Sequence, residues 1–226
     1  MSKYVILDLE MCAVPKGEHH DTYPWKNEII QIGAVLLDDS LEISDKFLTY
    51  VAPQYGVLDK FIENLTRITP KDLEGAPAFA EALKKFLDWI PEGASMVAWS
   101  ETDETQMRRE IEAKNVDDPR IGKAFARWID CQQQFGRRID SPKTYSLSEA
   151  LNIAGIYFED GAHDALVDAH NTALLYAKML REPELHLSPY YSTEDRAEAS
   201  AAEAAFNPFA AALAKLRAAE TAGDKV

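Results

Sequence analysis

The sequence predicts a mixed α/β fold, in which one sheet carries helices on its faces. Three strand-like runs follow one another over residues 3–51, joined by short connections, which indicates an antiparallel meander. Strand and helix patterns then alternate as far as Pro183. A meander followed by such alternation is typical of a mixed sheet packed between helices. With 226 residues, 46% of them hydrophobic, the chain is long enough for one domain and an appended segment.

The strands are predicted from short β-prone runs bounded by polar or turn residues. Residues 3–10 begin with KYVIL and end in a pair of carboxylates, and residues 28–37 read EIIQIGAVLL. An Asp-Asp-Ser turn signal then precedes a third strand at 41–51. A fourth strand is predicted at 95–99, where SMVAW forms a short buried run.

Helices are predicted where apolar residues recur at helical spacing. The predicted helices span residues 79–90, 101–114, 120–129, 146–155 and 164–181. The last is the longest and stops before Pro183, because proline lacks the backbone N–H that a helix needs. Beyond it, 13 of the 26 residues in 197–222 are alanine, which predicts a helical or partly disordered tail. We therefore divide the chain into a domain at 1–182 and an alanine-rich extension at 183–226.

Composition excludes several classes of protein. The net charge of −14 argues against a protein that coats polyanions, although it leaves room for an enzyme with a local basic patch. No run approaches the length of about 20 apolar residues that a membrane span needs, and no signal-peptide pattern precedes the first strand. The two cysteines, Cys12 and Cys131, have no metal-ligand spacing. We expect a reduced, cytoplasmic protein that does not bind membranes.

The first strand ends in two carboxylates that share one side of the sheet. Side chains alternate along a strand, so Asp8 and Glu10 point the same way, about 6–7 Å apart. Two carboxylates on one face repel each other unless a cation lies between them. This pair therefore predicts a cation-binding site.

Two further carboxylates are predicted to point inward from the first turns of helices. Asp168 shares a helix face with Leu175 and Met179, and this apolar face is expected to pack on the sheet. By the same reasoning, Asp103 faces inward on the face that carries Met107. A buried carboxylate is costly without a positive partner. Four such oxygen ligands suit a hard divalent cation, Mg²⁺ or Mn²⁺.

A histidine completes the candidate site. His163 lies five positions before Asp168, and a histidine beside a metal can accept a proton from a water nucleophile. Each residue alone also has a structural explanation. The strand pair could be solvated, Asp103 could belong to a capping box that begins at Ser100, and a single histidine could be structural. The occurrence of all five together favours the metal site.

These residues together resemble the motifs of the DEDDh 3′-to-5′ exonucleases, which have an RNase H-like fold. The motifs are DLE at 8–10, WSETD at 99–103 and HDALVDAHNTA at 163–173, and EIIQIGAV at 28–35 is similar to the second strand of the family. The resemblance covers residues 3–181 and implies a mixed five-stranded sheet flanked by helices. Within the family, the chain is most similar to the small-RNA and histone-mRNA 3′-exonucleases and the KapD-like bacterial proteins.

The resemblance implies phosphodiester hydrolysis with two Mg²⁺ or Mn²⁺ ions. Asp8, Glu10 and Asp168 would hold one ion directly. Asp8 would bridge to the second ion, which Asp103 would support. Two ions about 4 Å apart clamp the scissile phosphate and activate the attacking water. His163 would accept the proton of that water, and the product would be a nucleoside 5′-monophosphate.

The resemblance also implies which residues meet the terminal nucleotide. They are Leu9, Met11, Cys12 and His163. Many members carry Thr shortly after the glutamate of the first motif, whereas Met11 and Cys12 follow Glu10 here. This departure leaves the sugar contact open. The choice between RNA and DNA is open as well, because it depends on contacts to the 2′-hydroxyl.

The expected substrate is a single-stranded 3′ end, with RNA favoured over DNA. Residues 105–145 contain nine Lys or Arg and six Asp or Glu, a net charge of +3, which makes this segment the best candidate for phosphate contacts. A solvated helix face with ordinary ion pairs explains the same charges equally well. Trp25 and Trp128 could stack on a base, although core packing is the favoured interpretation for both.

Two other functions remain open. A proofreading-type nuclease subunit would act on DNA and use the alanine-rich tail as a protein-docking element. A non-catalytic nucleic-acid-binding or regulatory module would keep the fold without the chemistry, although the presence of all five motif residues argues against it. Metal-dependent release of mononucleotides distinguishes an enzyme from such a module.

Overall fold

One five-stranded mixed sheet forms the centre of the fold. Its strands are β1 (Tyr4–Ala13), β2 (Asn27–Leu37), β3 (Ile43–Tyr50), β4 (Ser95–Ala98) and β5 (Trp128–Asp130). Their spatial order is β3-β2-β1-β4-β5. The first three strands pair antiparallel, whereas β4 pairs parallel with β1 and β5 pairs parallel with β4. The predicted meander and the predicted mixed sheet are both confirmed.

Eight helices are found among the residues that this computed structural model describes, which are 3–17, 21–157, 163–189 and 191. The helices are α1 (Lys60–Thr66), α2 (Pro70–Leu73), α3 (Phe79–Trp89), α4 (Glu101–Ala113), α5 (Ile121–Ala124), α6 (Cys131–Arg138), α7 (Leu147–Ile153) and α8 (Ala165–Arg181). Within the same ranges, no helix combines the length and apolar character needed to cross a bilayer.

The predicted helix at 120–129 is wrong. The chain forms only the short helix α5 there, which ends at Ala124, and then extends into the edge strand β5. Strand β5 pairs with Met96–Ala98 of β4, a tertiary contact between distant parts of the chain that local spacing does not reveal. A separate helix, α6, begins directly after β5, where Asp130 accepts a hydrogen bond from the backbone N–H of Gln133.

The two faces of the sheet are covered differently. Val5, Leu7 and Leu9 of β1 are buried with residues of α3 such as Phe86. Alternation along β1 turns Asp8 and its even-numbered neighbours to the opposite face, and α8 packs on β1 and β2. Asp8 and Glu10 of β1 therefore lie on the face of the sheet that α8 covers.

The chain divides into two units, Met1–His186 and Leu187–Val226. All the strands and helices given above lie in the first unit. The alanine-rich segment at 197–222 lies outside the described residues. Its helical or partly disordered character, and the domain boundary at 182/183, stay predictions.

Candidate metal centre and active site

Strand β1 places two carboxylates beside α8. Asp8 pairs with Gly33 of β2 and Glu10 pairs with Gln31, so both lie in a regular antiparallel ladder. The register shifts between Glu10 and Met11, which locates a β-bulge directly after the second carboxylate. Bulges re-aim side chains, and this one ends the regular alternation at the site.

Two residues of β2 determine where α8 begins. The Gln31 Oε1 atom accepts a hydrogen bond of 3.0 Å from the backbone N–H of Ala165, the first residue of the helix. Gly33 lies so close to the helix that an added Cβ would come within 2.3 Å of the Ala165 carbonyl carbon. Only glycine permits this approach without a shift of the helix. The first turn of α8 is thereby held against the strand positions opposite Asp8 and Glu10.

The beginning of α8 carries the predicted aspartate and histidine. Asp164 caps the helix by accepting hydrogen bonds from the backbone N–H groups of Leu166 and Val167. The backbone N–H of His163 donates to Asp168 Oδ2 at 2.9 Å. His163 has a φ of 71°, in the left-handed region that histidine adopts more readily than most residues. This turn brings the imidazole and the carboxylate of Asp168 to the same place.

Three of the five predicted residues form a group suited to hold a metal ion. One ligand atom each from Glu10, His163 and Asp168 lies within 4.8 Å of the other two. The three residues come from β1, from the residue before the N-cap of α8 and from its first turn. Residues 153 positions apart in the sequence thus converge. The sequence analysis assigned Glu10 and Asp168 as metal ligands and His163 as the proton acceptor beside them, and these roles stay predictions.

Asp103 reaches the same strand, β1, from helix α4. It lies in the first turn of α4 with only 6% of its surface exposed, and its carboxylate accepts a backbone hydrogen bond from Leu9. Ser100 caps α4 by accepting from the backbone N–H of Thr102. The carboxylate of Asp103 therefore faces β1, as predicted from the face it shares with Met107.

The carboxylates of the site raise one another's pKa values. Burial raises the pKa of Asp8 well above its ordinary value, and the charges of Asp103, Asp168 and Glu10 raise it further. Burial and the charge of Asp168 raise the pKa of Glu10 to about 8. Burial raises the pKa of Asp103 to about 7 and that of Asp168 to about 6, against hydrogen bonds from backbone N–H groups that lower both.

No positive side chain compensates this repulsion among the described residues. None of the ion pairs recorded there joins a Lys or Arg to Asp8, Glu10, Asp103 or Asp168. Buried carboxylates without such a partner are costly when ionised. A hard divalent cation, which prefers carboxylate oxygens, fits this donor set.

The residues predicted to contact substrate differ in their exposure. Leu9 and Cys12 have 4% and 1% of their surfaces exposed, so their side chains belong to the interior. Met11 is half-buried and packs against the core. His163 is half-buried in the metal-binding group. A contact from Leu9 or Cys12 to a nucleotide would therefore come from the backbone.

Sequence reasoning missed three residues that shape the site. Gln31 and Gly33 anchor α8, and Asp164 caps it while its charge raises the pKa values of Asp8, Glu10 and Asp168. A polar glutamine inside the apolar run EIIQIGAV was the available signal for Gln31. An aspartate directly before a helix was the signal for Asp164.

Comparison with known proteins identifies the family. The RNase_T family model, described as an exonuclease, matches residues 5–176. The chain belongs to this exonuclease family. The match spans all five predicted site residues, from β1 to Tyr176 of α8. The family predicted from the three motifs is confirmed.

The exonuclease relatives include enzymes named for RNA and for DNA. Mouse ERI1 exoribonuclease 2 is 30% identical over 207 residues, which cover 79% of this chain and 28% of the relative. The chain thus spans little more than a quarter of the length of that protein. DNA polymerase III subunit epsilon of Aquifex aeolicus is 30% identical over 192 residues, which cover 84% of this chain and 87% of the relative.

Solved structures of exonucleases share the fold. A full-length 3′-exonuclease superposes with a TM-score of 0.69 at 24% identity, covering 84% of this chain and 87% of that one. The nuclease domain of 3′hExo, described as a DEDDh family member bound to rAMP, superposes with a TM-score of 0.65 at 25% identity. That alignment covers 82% of this chain and 96% of the domain. The predicted RNase H-like fold is confirmed.

Proposed function

We propose that the chain is a metal-dependent 3′-to-5′ exonuclease that releases nucleoside 5′-monophosphates from single-stranded 3′ ends. The observation that carries this proposal is the convergence of Glu10, His163 and Asp168 within 4.8 Å of one another, beside Asp8 and Asp103. Hydrolysis of a phosphodiester needs charge stabilisation and an acceptor for the proton of water. This group of residues provides both.

The four carboxylates would hold Mg²⁺ or Mn²⁺, with two ions per site. Asp8, Glu10 and Asp168 would hold one ion, and Asp103, together with Asp8, would hold the second. The bound ions stabilise the charge that develops on the phosphate and lower the pKa of the attacking water. The raised pKa values of the carboxylates support this assignment, because a site built of mutually repelling anions favours a divalent cation.

His163 would accept the proton of the attacking water. Burial lowers the pKa of His163, so the neutral imidazole, which can accept a proton, prevails near pH 7. Its backbone N–H holds Asp168, so the position of the ring and the position of this ligand are linked. The contribution of such a proton acceptor is about 10²–10⁴ in rate.

RNA is the favoured substrate over DNA. The ERI1 exoribonuclease 2 relatives support this choice by their names, whereas the relative DNA polymerase III subunit epsilon is named for DNA. The 3′-terminal nucleotide would lie against the last part of β1, at Leu9, Met11 and Cys12, next to His163. With Leu9 and Cys12 buried, backbone groups and the half-buried side chain of Met11 supply the contacts.

The test is an assay with matched, 5′-end-labelled RNA and DNA oligonucleotides in Mg²⁺, Mn²⁺ or EDTA. We expect stepwise shortening from the 3′ end with either metal, faster on RNA, and no reaction in EDTA. Release of nucleoside 3′-monophosphates, or an equal rate in EDTA, would contradict the proposal. Retained binding of RNA without any hydrolysis would instead support the non-catalytic alternative.

A DNA-proofreading subunit is the second candidate. Its support is the alignment with DNA polymerase III subunit epsilon, which extends over 87% of that protein, whereas the ERI1 alignment covers only 28% of its relative. Under this alternative, DNA with a mismatched 3′ end is degraded faster than RNA. Co-purification with a DNA polymerase, lost on removal of residues 187–226, would then place the docking element in that segment.

A further inference from the structure

The end of β5 lies on the same edge of the sheet as the carboxylates of the site. Leu7 of β1 pairs with Ala98 of β4, and Ala98 pairs with Asp130 of β5. Because β1, β4 and β5 are parallel, the residues that follow these positions lie toward the same edge of the sheet. Asp8 follows Leu7, and α6 begins directly after Asp130. The two points are two strand spacings apart, about 10 Å.

A cavity of about 460 Å³ opens between α6 and the segment 140–144. Its wall is attached to the edge of the sheet by Gln132, whose backbone N–H donates to the carbonyl of Trp99 at 2.8 Å. The Gln132 side chain donates to the carbonyl of Tyr145 at 2.6 Å and so joins α6 to the returning segment. The cavity therefore has a fixed position relative to β4 and β1.

Two cations and one anion line this cavity, together with two glutamine side chains. The cations are Arg137, which is exposed, and Lys143, whose side chain remains 33% exposed although it pairs with Glu149. Asp140 supplies the one negative charge of the lining. The lining thus has a net charge of +1 in a chain whose net charge is −14.

The other cations of the basic segment 105–145 are mostly engaged elsewhere. Lys114 is buried in ion pairs with two glutamates, and Arg120 pairs with Asp118 and Asp88. Arg138 donates to three backbone carbonyls at the end of α8. Within the basic segment, the best remaining candidates for phosphate contacts are therefore the cations that line the cavity, Arg137 and Lys143.

We propose that this cavity binds a backbone phosphate of single-stranded nucleic acid, upstream of the 3′-terminal nucleotide that occupies the metal centre. The inference rests on the proposed exonuclease function and adds a subsite to it. Arg137 and Lys143 provide the positive charge that a phosphate needs. Gln133 Oε1 accepts a hydrogen bond of 2.9 Å from Arg137, which orients the guanidinium, and the exposed amide of Gln133 can also bond to the sugar or base. The strand would run along the carboxyl edge of the sheet, from β1 past β4 to α6.

A second cavity provides a matched control. Its volume is about 230 Å³, and it also contains two cations, Arg120 and Lys123. It lies beside Gly93 and Ala94, which precede β4, and hence at the amino edge of the parallel strands. A strand held in the metal centre at the carboxyl edge does not reach it. Lys123 therefore lines a cavity that a nucleic-acid strand bound at the metal centre would not contact.

The test compares the full chain with the double variant R137A/K143A and with the control Lys123→Ala. Binding of fluorescent oligo(A) RNA and oligo(dA) of about ten nucleotides is measured in EDTA, which prevents hydrolysis. We expect the double variant to bind both oligonucleotides about tenfold more weakly. The slope of log affinity against log salt should become shallower by about 0.7, the value for one neutralised phosphate of a single strand. The control should bind as the wild type does.

Cleavage of a dinucleotide shows whether weaker binding by the double variant comes from loss of the subsite or from damage to the fold. The dinucleotide fills the metal centre but is too short to reach the cavity, so the double variant should cleave it with wild-type kcat/KM. The longer oligonucleotide should show a raised KM with unchanged kcat. A charge-preserving variant, R137K/K143R, should retain most of the affinity, because an electrostatic contact depends mainly on charge.

Each remaining outcome has one meaning. Unchanged affinity in the double variant, or equal losses on the dinucleotide and the longer strand, would overturn the subsite. Wild-type binding without hydrolysis in Mg²⁺, together with weaker binding by the double variant, would overturn the exonuclease function and keep the nucleic-acid site. Absence of binding by the wild type would overturn the subsite as well.

Discussion

One cluster of acidic side chains lies on β1, α4 and α8 and another on β2 and α4, and their charges are compensated in different ways. The site cluster consists of Asp8, Glu10, Asp103 and Asp168. The lysine cluster consists of Glu28, Glu110 and Lys114. Both contain fully or nearly buried acidic groups. Only the lysine cluster has a positive side chain of the protein within it, among the residues described.

The lysine cluster satisfies its charges internally. Lys114 Nζ lies 2.6 Å from Glu28 and 2.7 Å from Glu110, and the three side chains are almost fully buried. Glu28 also accepts hydrogen bonds from the backbone N–H groups of Gln54, Tyr55 and Gly56. These bonds hold the segment after β3 against the start of β2. The cluster is thus a structural connection between α4, β2 and this segment.

Among the described residues, the charges of the site cluster are not compensated by a lysine or arginine side chain, so a bound cation can compensate them. Its hydrogen bonds come from backbone N–H groups of Leu9 and His163, which orient Asp103 and Asp168 without neutralising them. The comparison teaches that burial of acidic groups alone does not identify a metal site. The absence of a neighbouring cation distinguishes the site cluster, because such a group is stable only when protonated or bound to a metal.

The largest expected effect follows from removal of a ligand. Asp8→Ala should abolish release of mononucleotides while the protein stays folded, because the variant loses a metal ligand and also loses repulsion within the cluster. Mononucleotide release and thermal melting check both parts. Asp39→Ala, which removes an exposed carboxylate in the turn after β2, is the control and should keep full activity. Wild-type turnover by Asp8→Ala would refute the assignment.

The histidine should have the next largest effect. His163→Asn keeps a residue type that tolerates the positive φ of this position, so the turn and its backbone hydrogen bond to Asp168 should survive. We expect kcat to fall about 10²–10⁴-fold, with retained affinity for Mn²⁺ in a calorimetric titration. His186→Asn, at an exposed histidine, is the control. A parallel loss of Mn²⁺ affinity would make His163 a ligand rather than a proton acceptor.

Removal of Lys114, the cation of the lysine cluster, should lower the free energy of unfolding more than it lowers exonuclease activity. Lys114→Met leaves two buried glutamates without their partner, and the free energy of unfolding should fall by about 3–5 kcal/mol. Urea unfolding measures this change. Substitution of both Glu28 and Glu110 by Gln in the same variant should recover part of the loss. Lys60→Met, at an exposed ion pair with Glu63, should have little effect, and an equal loss there would contradict the interpretation.

The smallest expected effect is the change in the free energy of unfolding with pH and with bound Mg²⁺. Folded pKa values of about 6, 7 and 8 for Asp168, Asp103 and Glu10 exceed those of the unfolded chain, near 4. The metal-free folded state therefore binds more protons than the unfolded state, so its stability falls as pH rises from about 4 to about 8. Mg²⁺ at about 100 times its dissociation constant should add about 2.7 kcal/mol.

The affinity for Mg²⁺ should rise across the same interval, because the ion competes with protons for these carboxylates. Melting temperatures with Mg²⁺ and with EDTA at pH 6 and pH 8 test this directly. The stabilisation by Mg²⁺ should be larger at pH 8. A difference that is the same at both pH values would show that the carboxylates are already ionised at pH 6.

Much of the architecture was predictable because it depends on local patterns. The strands at 3–10 and 28–37 and the helix at 164–181 were found within a few residues of their observed bounds, since apolar periodicity and Pro183 mark them clearly. The strand β5 was missed because three residues carry too little periodicity and its existence depends on pairing with β4. Short helices such as α6 were missed for a similar reason.

The sequence by itself determined which chemistry the protein carries. Carboxylates at the ends of predicted elements, with a histidine five positions before Asp168, were enough to predict a divalent-metal site. The resemblance of the three motifs to the DEDDh exonucleases implied the type of reaction. Alternation along a strand and the helical repeat decide which side of an element a residue occupies, and both are local properties of the chain.

Only the tertiary structure decided how the carboxylates of the site come together and which positive side chains lie too far away to pair with them. Gly33 and Gln31 bring α8 against β1, and Lys114, which lies in the basic segment, turns inward to Glu28 and Glu110. The physical reason is that neutralisation depends on distances between side chains far apart in sequence. Such distances follow from packing of the whole domain rather than from local spacing.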